Sequence, residues 1–200
     1  MSSIQILTSD DKKISIKLIG ISLHYANALR RICLNGVPIF AIDTVDVIEN
    51  SSVIPDEAIA HILGMIPLKT ELNGFDESNS RVILVLDSEA AENTKIVTSA
   101  ELESKDQVVK PISKQIPIVH LAPGQRIKLE AYARLGRGTE HAKWNSANIS
   151  VLTNADKEGE HILTVETTGS LEPRQIILAG IEELSKRLEE FKEILVNLEE

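Results

Sequence analysis

The sequence is poor in the residues that build cross-links, stacking surfaces and membrane spans. Cys33 is its single cysteine, so neither an intramolecular disulfide nor a four-cysteine metal site can form within the chain. Aromatic residues make up 3% of the 200 residues, too few for the stacking platforms that bind single-stranded nucleic acid. No apolar run reaches the roughly 18 residues of a spanning helix, and no secretion signal is recognisable. We therefore expect a cytoplasmic protein that does not associate with membranes.

Positive charge and catalytic motifs are scarce as well. The formal net charge of -9 argues against specific DNA binding by this chain, because DNA binders carry a basic surface. The five histidines are scattered, without H-x-x-x-H or H-E-x-x-H spacing, and neither a P-loop nor a G-x-S-x-G motif occurs. The sequence therefore predicts neither an active site nor a metal site.

Apolar periodicity predicts a mixed α+β protein. Helices are expected at about 22–35 and 56–65, where apolar residues recur with helical spacing and Gly36 or Pro67 ends the pattern. A strand is expected at 39–49. Residues 125–135 alternate strictly between apolar and polar side chains, which is typical of a strand with one buried face. A composition of 42% hydrophobic residues is sufficient for a real core.

The last thirty residues are predicted to form one long helix. Pro173 stands where a first-turn proline is favoured. Apolar residues then follow at alternating spacings of four and three, which is the seam of a heptad repeat: Ile177, Ile181, Leu184, Leu188, Phe191, Leu195 and Leu198. The seam could pack on the sheet of its own domain, or part of it could bind a helix of another chain. The narrow heptad geometry favours contact between helices.

Arg30 and Arg31 lie on the first predicted helix, in a stretch otherwise free of charge between His24 and Asp43. They could form part of a solvated helix face. However, adjacent helical positions differ by about 100°, so both cannot point away from a buried Leu29 and Ile32. We therefore expect at least one to meet a carboxylate or a main-chain carbonyl, with Asn27 hydrogen-bonding along the same surface.

The loop at 136–144, "GRGTEHAKW", contains the only tryptophan of the chain and its most basic patch. Trp144 could anchor a surface loop in a nearby core. Alternatively, an aromatic side chain next to cations such as Lys143 is a common feature of protein interfaces, which favours a docking loop. The sequence leaves both interpretations open.

Three stretches carry a family resemblance. "ANALRRICLNGVPIFAIDTVDVIENSSVIPDEAIAHILGMIPLKTE" at 26–71 resembles the signature region of the alpha-like subunit family of cellular RNA polymerases. "RLGRGTEHAKW" at 134–144 and "GSLEPRQIILAGIEEL" at 169–184 resemble two further motifs of that family. The family has an archaeal form, which carries the letter D, and a eukaryotic form, which is the third-largest subunit of the nuclear enzyme. Bacterial alpha is a more distant relative.

The resemblance implies a discontinuous fold and a scaffolding function. It implies a dimerisation domain at 1–45 and 146–200 that pairs with a small homologous subunit, called L in archaea, and an inserted, mainly β domain at 46–145. The pair would dock onto the second-largest and largest polymerase subunits, with the small subunits N and P. Carried over from the family, Asn27, Arg30, Arg31, Lys143 and Trp144 become candidates for docking to the large subunits, and the seam of the last helix becomes the L interface.

One departure from the family concerns cofactors. Many archaeal members carry a cysteine-rich insertion before the last strand, but here residues 152–160 turn straight back, and the predicted loop at 71–80 has no cysteine. We therefore expect neither an iron-sulfur cluster nor zinc. A homodimer formed by the same seam is the alternative to the L heterodimer. Acidic groups outnumber basic ones in residues 182–200, which disfavours self-pairing.

Overall fold

The structure of the chain, a computed structural model, describes residues 2–72 and 80–197. Within these ranges the chain is α+β, as predicted. In chain order its elements are β1 (Ser3–Ser9), β2 (Lys13–Ile19), α1 (Leu23–Asn35), β3 (Ile39–Asn50), α2 (Asp56–Gly64), β4 (Arg81–Glu89), β5 (Lys95–Thr98), β6 (Glu103–Ser104), β7 (Pro117–Leu121), β8 (Arg126–Gly136), β9 (Ala147–Asn154), β10 (Glu160–Thr167) and α3 (Pro173–Asn197).

The chain divides into two compact units. Unit 1 combines the residues up to Pro38 with those from Arg137 onward, and unit 2 consists of Ile39–Gly136. These limits differ from the predicted boundaries at 45/46 and 145/146. The strand β3 is continuous and pairs with β8 from its first residue, Ile39 opposite Gly136, so residues 39–45 belong to unit 2. The loop after β8 begins with Arg137, which hydrogen-bonds to Gly36 and Glu183 of unit 1, and the loop belongs to that unit. The dimerisation and insertion roles of the two units stay predictions.

Unit 1 is an antiparallel sheet in the order β1-β2-β10-β9, with α1 and α3 packed on one face. Ile14, Ile16 and Leu18 of β2 point towards the helices and are buried, while Ser15 lies on the other face and shares a 2.9 Å hydrogen bond with Thr164 of β10. The alternation of apolar and polar residues along β2 therefore sets which face the helices cover.

Unit 2 contains an antiparallel sheet in the order β3-β8-β4-β6, a two-stranded sheet of β5 and β7, and α2. The predicted alternation in β8 is confirmed, since its apolar residues are all buried: Ile127, Leu129, Ala131, Ala133 and Leu135. They share a core with Phe40 of β3, Ile59 and Leu63 of α2 and Leu84 of β4.

Two further findings concern expectations from the sequence. Most of the predicted loop at 71–80 lies outside the described residues. Among the described helices, none combines the length and the apolar composition that crossing a membrane requires.

Candidate protein-interaction site

The first half of α3 is buried in unit 1. Pro173, Ile176, Ile177 and Gly180 are buried, and Gly180 lies so close to α1 that a Cβ there would be 3.2 Å from Cys33 Sγ. Such a close approach favours glycine, because a larger side chain would push the two helices apart. The seam residue Ile177, 6% exposed, therefore packs within its own unit, as the first interpretation of the seam predicted.

The second half of α3 is uncovered. Every side chain from Ser185 to Asn197 is exposed. Leu188, Phe191 and Leu195 expose 55%, 58% and 48% of their surfaces. Ile181 is also exposed, Leu184 is half-buried, and Leu198 lies outside the described residues. The seam is thus divided between an intrachain part and an exposed part. A contiguous exposed apolar face of this kind marks an interaction site or an aggregation site.

Helix α1 presents a polar surface next to β9. It buries Ala26, Leu29, Ile32 and Cys33, and Gly36 ends the helix with a 2.8 Å hydrogen bond from its N–H to the carbonyl of Ile32. This burial pattern leaves Asn27 and Arg31 exposed and Arg30 half-buried.

Arg30 meets a main-chain carbonyl, as predicted for at least one of the two arginines. Its Nε donates to Asn27 Oδ1 at 2.9 Å, and one of its terminal nitrogens donates to the carbonyl of Ser150 at 3.4 Å. The hydroxyl of Ser150 in turn donates to the carbonyl of Arg30 at 2.8 Å. Arg30 therefore ties α1 to β9. Arg31 makes neither a hydrogen bond nor an ion pair with the described part of the chain, so its guanidinium is available to a partner.

The loop after β8 is held to both helices of unit 1 by Arg137. Its Nε donates to the carbonyl of Gly36 at 3.1 Å, and a terminal nitrogen donates to both carboxylate oxygens of Glu183 at 3.0 Å. The two side chains are only 20% and 14% exposed. A charge-assisted hydrogen bond of this kind, shielded from water, is stronger than a surface ion pair. Arg137 thus fixes the loop, the end of α1 and the middle of α3 relative to one another.

Trp144 lies in the interior of unit 1. Its side chain is 3% exposed, and Lys143 Nζ lies 4.2 Å from the ring centroid. Burial of the ring favours the anchored-tryptophan interpretation and leaves no indole surface for a partner in the described structure. The docking role of Trp144 stays a prediction. Lys143 is half-buried and keeps part of its surface accessible.

Sequence reasoning missed the pair of Arg137 and Glu183. The two residues are 46 positions apart. In a heptad reading, Glu183 occupies an outward-facing position of the last helix, so no local pattern indicates that it is half-buried. Gly138, the next residue after Arg137, marks a close approach of the loop to Asn145 rather than the pair itself. A Cβ there would meet Asn145 Oδ1 at 2.0 Å.

The histidine, cysteine and acidic residues that the structure describes do not form a metal-binding cluster. In residues 2–72 and 80–197, no three of them lie together as potential metal ligands. The expectation of a chain without zinc or an iron-sulfur cluster stays a prediction. The described residues present two surfaces suited to binding protein: the exposed apolar face of α3 and the cationic surface of α1 formed by Arg30 and Arg31.

Comparison with known proteins gives consistent matches. The family described as RNA polymerase Rpb3/RpoA insert domain matches residues 41–156, more than half of the chain. The chain is 48% identical over 149 residues to "DNA-directed RNA polymerase subunit Rpo3" of Pyrococcus horikoshii, covering 72% of this chain and 56% of that protein. It is 32% identical over 166 residues to the protein of the same name from Aeropyrum pernix, covering 75% and 58%. The chain thus spans little more than half the length of the relatives it matches.

Proposed function

Because the chain belongs to the RNA polymerase Rpb3/RpoA insert domain family, we propose that it is a non-catalytic assembly subunit of an archaeal DNA-directed RNA polymerase. Relatives from two Pyrococcus species and from Aeropyrum pernix carry the name Rpo3, which supports this reading. In this proposal the chain takes part in RNA synthesis by holding the catalytic subunits together in the cytoplasm, and it carries neither zinc nor an iron-sulfur cluster.

The observation that carries the proposal is the exposed half of α3. A helical segment with no tertiary contacts is marginally stable in water, because most helix stability in proteins comes from packing an apolar face. The face that contains Leu188, Phe191 and Leu195 therefore requires a surface to cover it. We propose that subunit L provides this surface and that the two chains form a heterodimer through helix-helix contacts.

The cationic surface of α1 suits a second contact. Arg30 is already held in place by Asn27 and Ser150, so its charge is fixed relative to β9. Arg31 beside it is exposed. We propose that this surface, together with Lys143, docks onto the second-largest and largest polymerase subunits, and that the small subunits N and P complete the platform. Charged groups at fixed positions chiefly determine register and partner identity.

Co-purification by size exclusion with light scattering tests the heterodimer. The chain is mixed with an archaeal L subunit and, separately, analysed alone. We expect a one-to-one complex with L and an aggregation-prone or unstable chain by itself. A stable homodimer that does not bind L would contradict the heterodimer and favour self-pairing of the seam, the second candidate.

A substitution of Arg31 tests the docking surface. Because its side chain has no partner in the described structure, Arg31→Ala should leave the free energy of unfolding unchanged within about 0.5 kcal/mol. It should weaken assembly of the chain and L with the large subunits. Lys157→Ala, in the turn between β9 and β10, removes the same charge from a distant exposed site and serves as the control. Equal assembly by both variants would remove Arg31 from the docking surface.

A further inference from the structure

In the exposed half of α3, the side chains next to the apolar seam differ in charge from those that point outward. In a heptad repeat, positions e and g lie beside the apolar seam, whereas b, c and f point outward. With the seam residues at a and d, the flanking positions between Ser185 and Asn197 hold Ser185 and Lys192 at e and Arg187 and Ile194 at g. The glutamates fall at outward positions: Glu189 at b, Glu190 at c and Glu193 at f.

The charge that borders the exposed seam is therefore positive, although the chain as a whole is acidic. Arg187 and Lys192 are both exposed, and neither forms an ion pair with another described residue. This arrangement corrects the expectation that acidic flanks disfavour self-pairing. Self-pairing is disfavoured, but by basic flanks.

The geometry argues against a second copy of this chain as the occupant of the seam. In a parallel pair of helices, a g residue faces the e residue five positions later on the other helix, which brings Arg187 opposite Lys192. In an antiparallel pair, g faces g and e faces e, so with Leu188 packed against Phe191 of the other copy, Arg187 lies opposite Ile194 and Lys192 lies opposite Ser185. Like charges therefore oppose the parallel pair, and the antiparallel pair gives neither basic residue an acidic partner.

We infer that the exposed seam of α3 binds a helix of a different chain that carries acidic side chains on both sides of its own apolar seam. This inference rests on the proposed function and names the chemistry of the partner helix. Apolar burial supplies most of the affinity, and the pairing of acidic flanks with Arg187 and Lys192 selects the partner and its register.

Charge reversal tests the inference in the proposed complex. The variant Arg187→Glu/Lys192→Glu reverses both flanks, and the control Lys186→Glu/Lys157→Glu makes the same charge change elsewhere. Lys186 lies about 200° around the helix from Leu188, and Lys157 lies in the turn between β9 and β10. Binding to an archaeal L subunit is measured by isothermal titration at low and high salt, with circular dichroism confirming that both variants fold.

We expect the flank variant to bind L about tenfold more weakly at low salt, since two exposed pairs change from attraction to repulsion. The difference should shrink at high salt, because exposed charges are screened. The control should bind within about twofold of the parent chain. Equal loss in both variants, or no loss in either, would overturn the inference while leaving the heterodimer intact.

A second measurement separates this inference from the proposed function. Two synthetic helical peptides share one apolar heptad seam and differ only in having glutamate or lysine at every e and g position. The chain should bind the glutamate peptide about tenfold more tightly than the lysine peptide at low salt. Preference for the lysine peptide, or no preference, would overturn the inference. If L fails to bind but the glutamate peptide is preferred, the choice of L as partner is wrong and the acidic-flank requirement holds.

Discussion

Ile177 and Leu188 lie on the same seam of α3 but in opposite environments, and truncating each should have opposite consequences. Ile177 is 6% exposed and packs within unit 1, whereas Leu188 is 55% exposed. We compare Ile177→Ala with Leu188→Ala. The two substitutions remove side chains of equal size from the same helix, so they differ chiefly in what surrounds the side chain.

The expected magnitudes follow from burial. Ile177→Ala removes a buried branched side chain and should lower the free energy of unfolding by about 2–5 kcal/mol. Leu188→Ala should change it by less than about 0.5 kcal/mol, because most of the side chain is already in water. The affinity for subunit L should instead depend on Leu188. Leu188→Ala should weaken the complex with subunit L by about 1–2 kcal/mol, which corresponds to roughly 5–30-fold in Kd.

Urea unfolding of the free chain and titration with subunit L measure the two quantities. If Leu188→Ala destabilised the free chain as much as Ile177→Ala, the second half of α3 would have to be covered by its own chain. It would then not be available as an interface for subunit L. If Leu188→Ala left both stability and binding unchanged, the exposed seam would not be the L interface. Leu188→Asp should abolish the complex, because association would bury an unpaired charge.

Three other predictions concern groups away from the seam. Arg137→Ala should lower the free energy of unfolding, measured in urea titrations, by about 1.5–3 kcal/mol. The same substitution should lower it much less in a chain that already carries Glu183→Ala, because the two side chains share one interaction. Additive effects of the two substitutions would contradict this coupling. Burial raises the pKa of the Cys33 thiol to about 12. Iodoacetamide at pH 8 should therefore modify the native chain far more slowly than the urea-unfolded chain. Equal rates would refute burial of the thiol. Hydrogen bonds from Arg126 hold the pKa of Asp87 below its ordinary value of 3.8. The pair therefore stabilises the fold above pH 3.8, and this stabilisation is lost as the pH falls through the lowered pKa. The Asp87→Asn variant should lose less stability in acid than the parent chain, and an unchanged acid profile would argue against the pair.

Much of the fold follows from local pattern. The period of two in β8 predicted its buried face residue by residue, and the heptad spacing after Pro173 predicted α3 and its apolar face. These predictions succeed because the side-chain period of an element is fixed by backbone geometry, whatever packs against it. The limits of the two units differ from the predicted ones, because the predicted boundary at 45/46 falls inside β3, which lies wholly in unit 2.

The candidate site was predictable only in part. The pair of arginines predicted a contact with a carboxylate or a main-chain carbonyl, and Arg30 does meet a main-chain carbonyl; the docking role of the pair stays a prediction. Trp144 could have been an anchor or a docking residue, because the same side chain serves both purposes and only its neighbours distinguish them. The bond of Arg137 to Glu183 joins distant positions, and single-sequence reasoning contains no signal for it.

The sequence by itself determined the element types, the apolar faces of the strands and helices, and the family. Those properties depend on the spacing of apolar residues and on long motifs, which are both local features of the sequence. Only the tertiary structure decided where along α3 the apolar face stops being covered. Burial is a relation between residues that are distant in sequence, so a seam of uniform composition can be core at Ile177 and an open surface at Leu188.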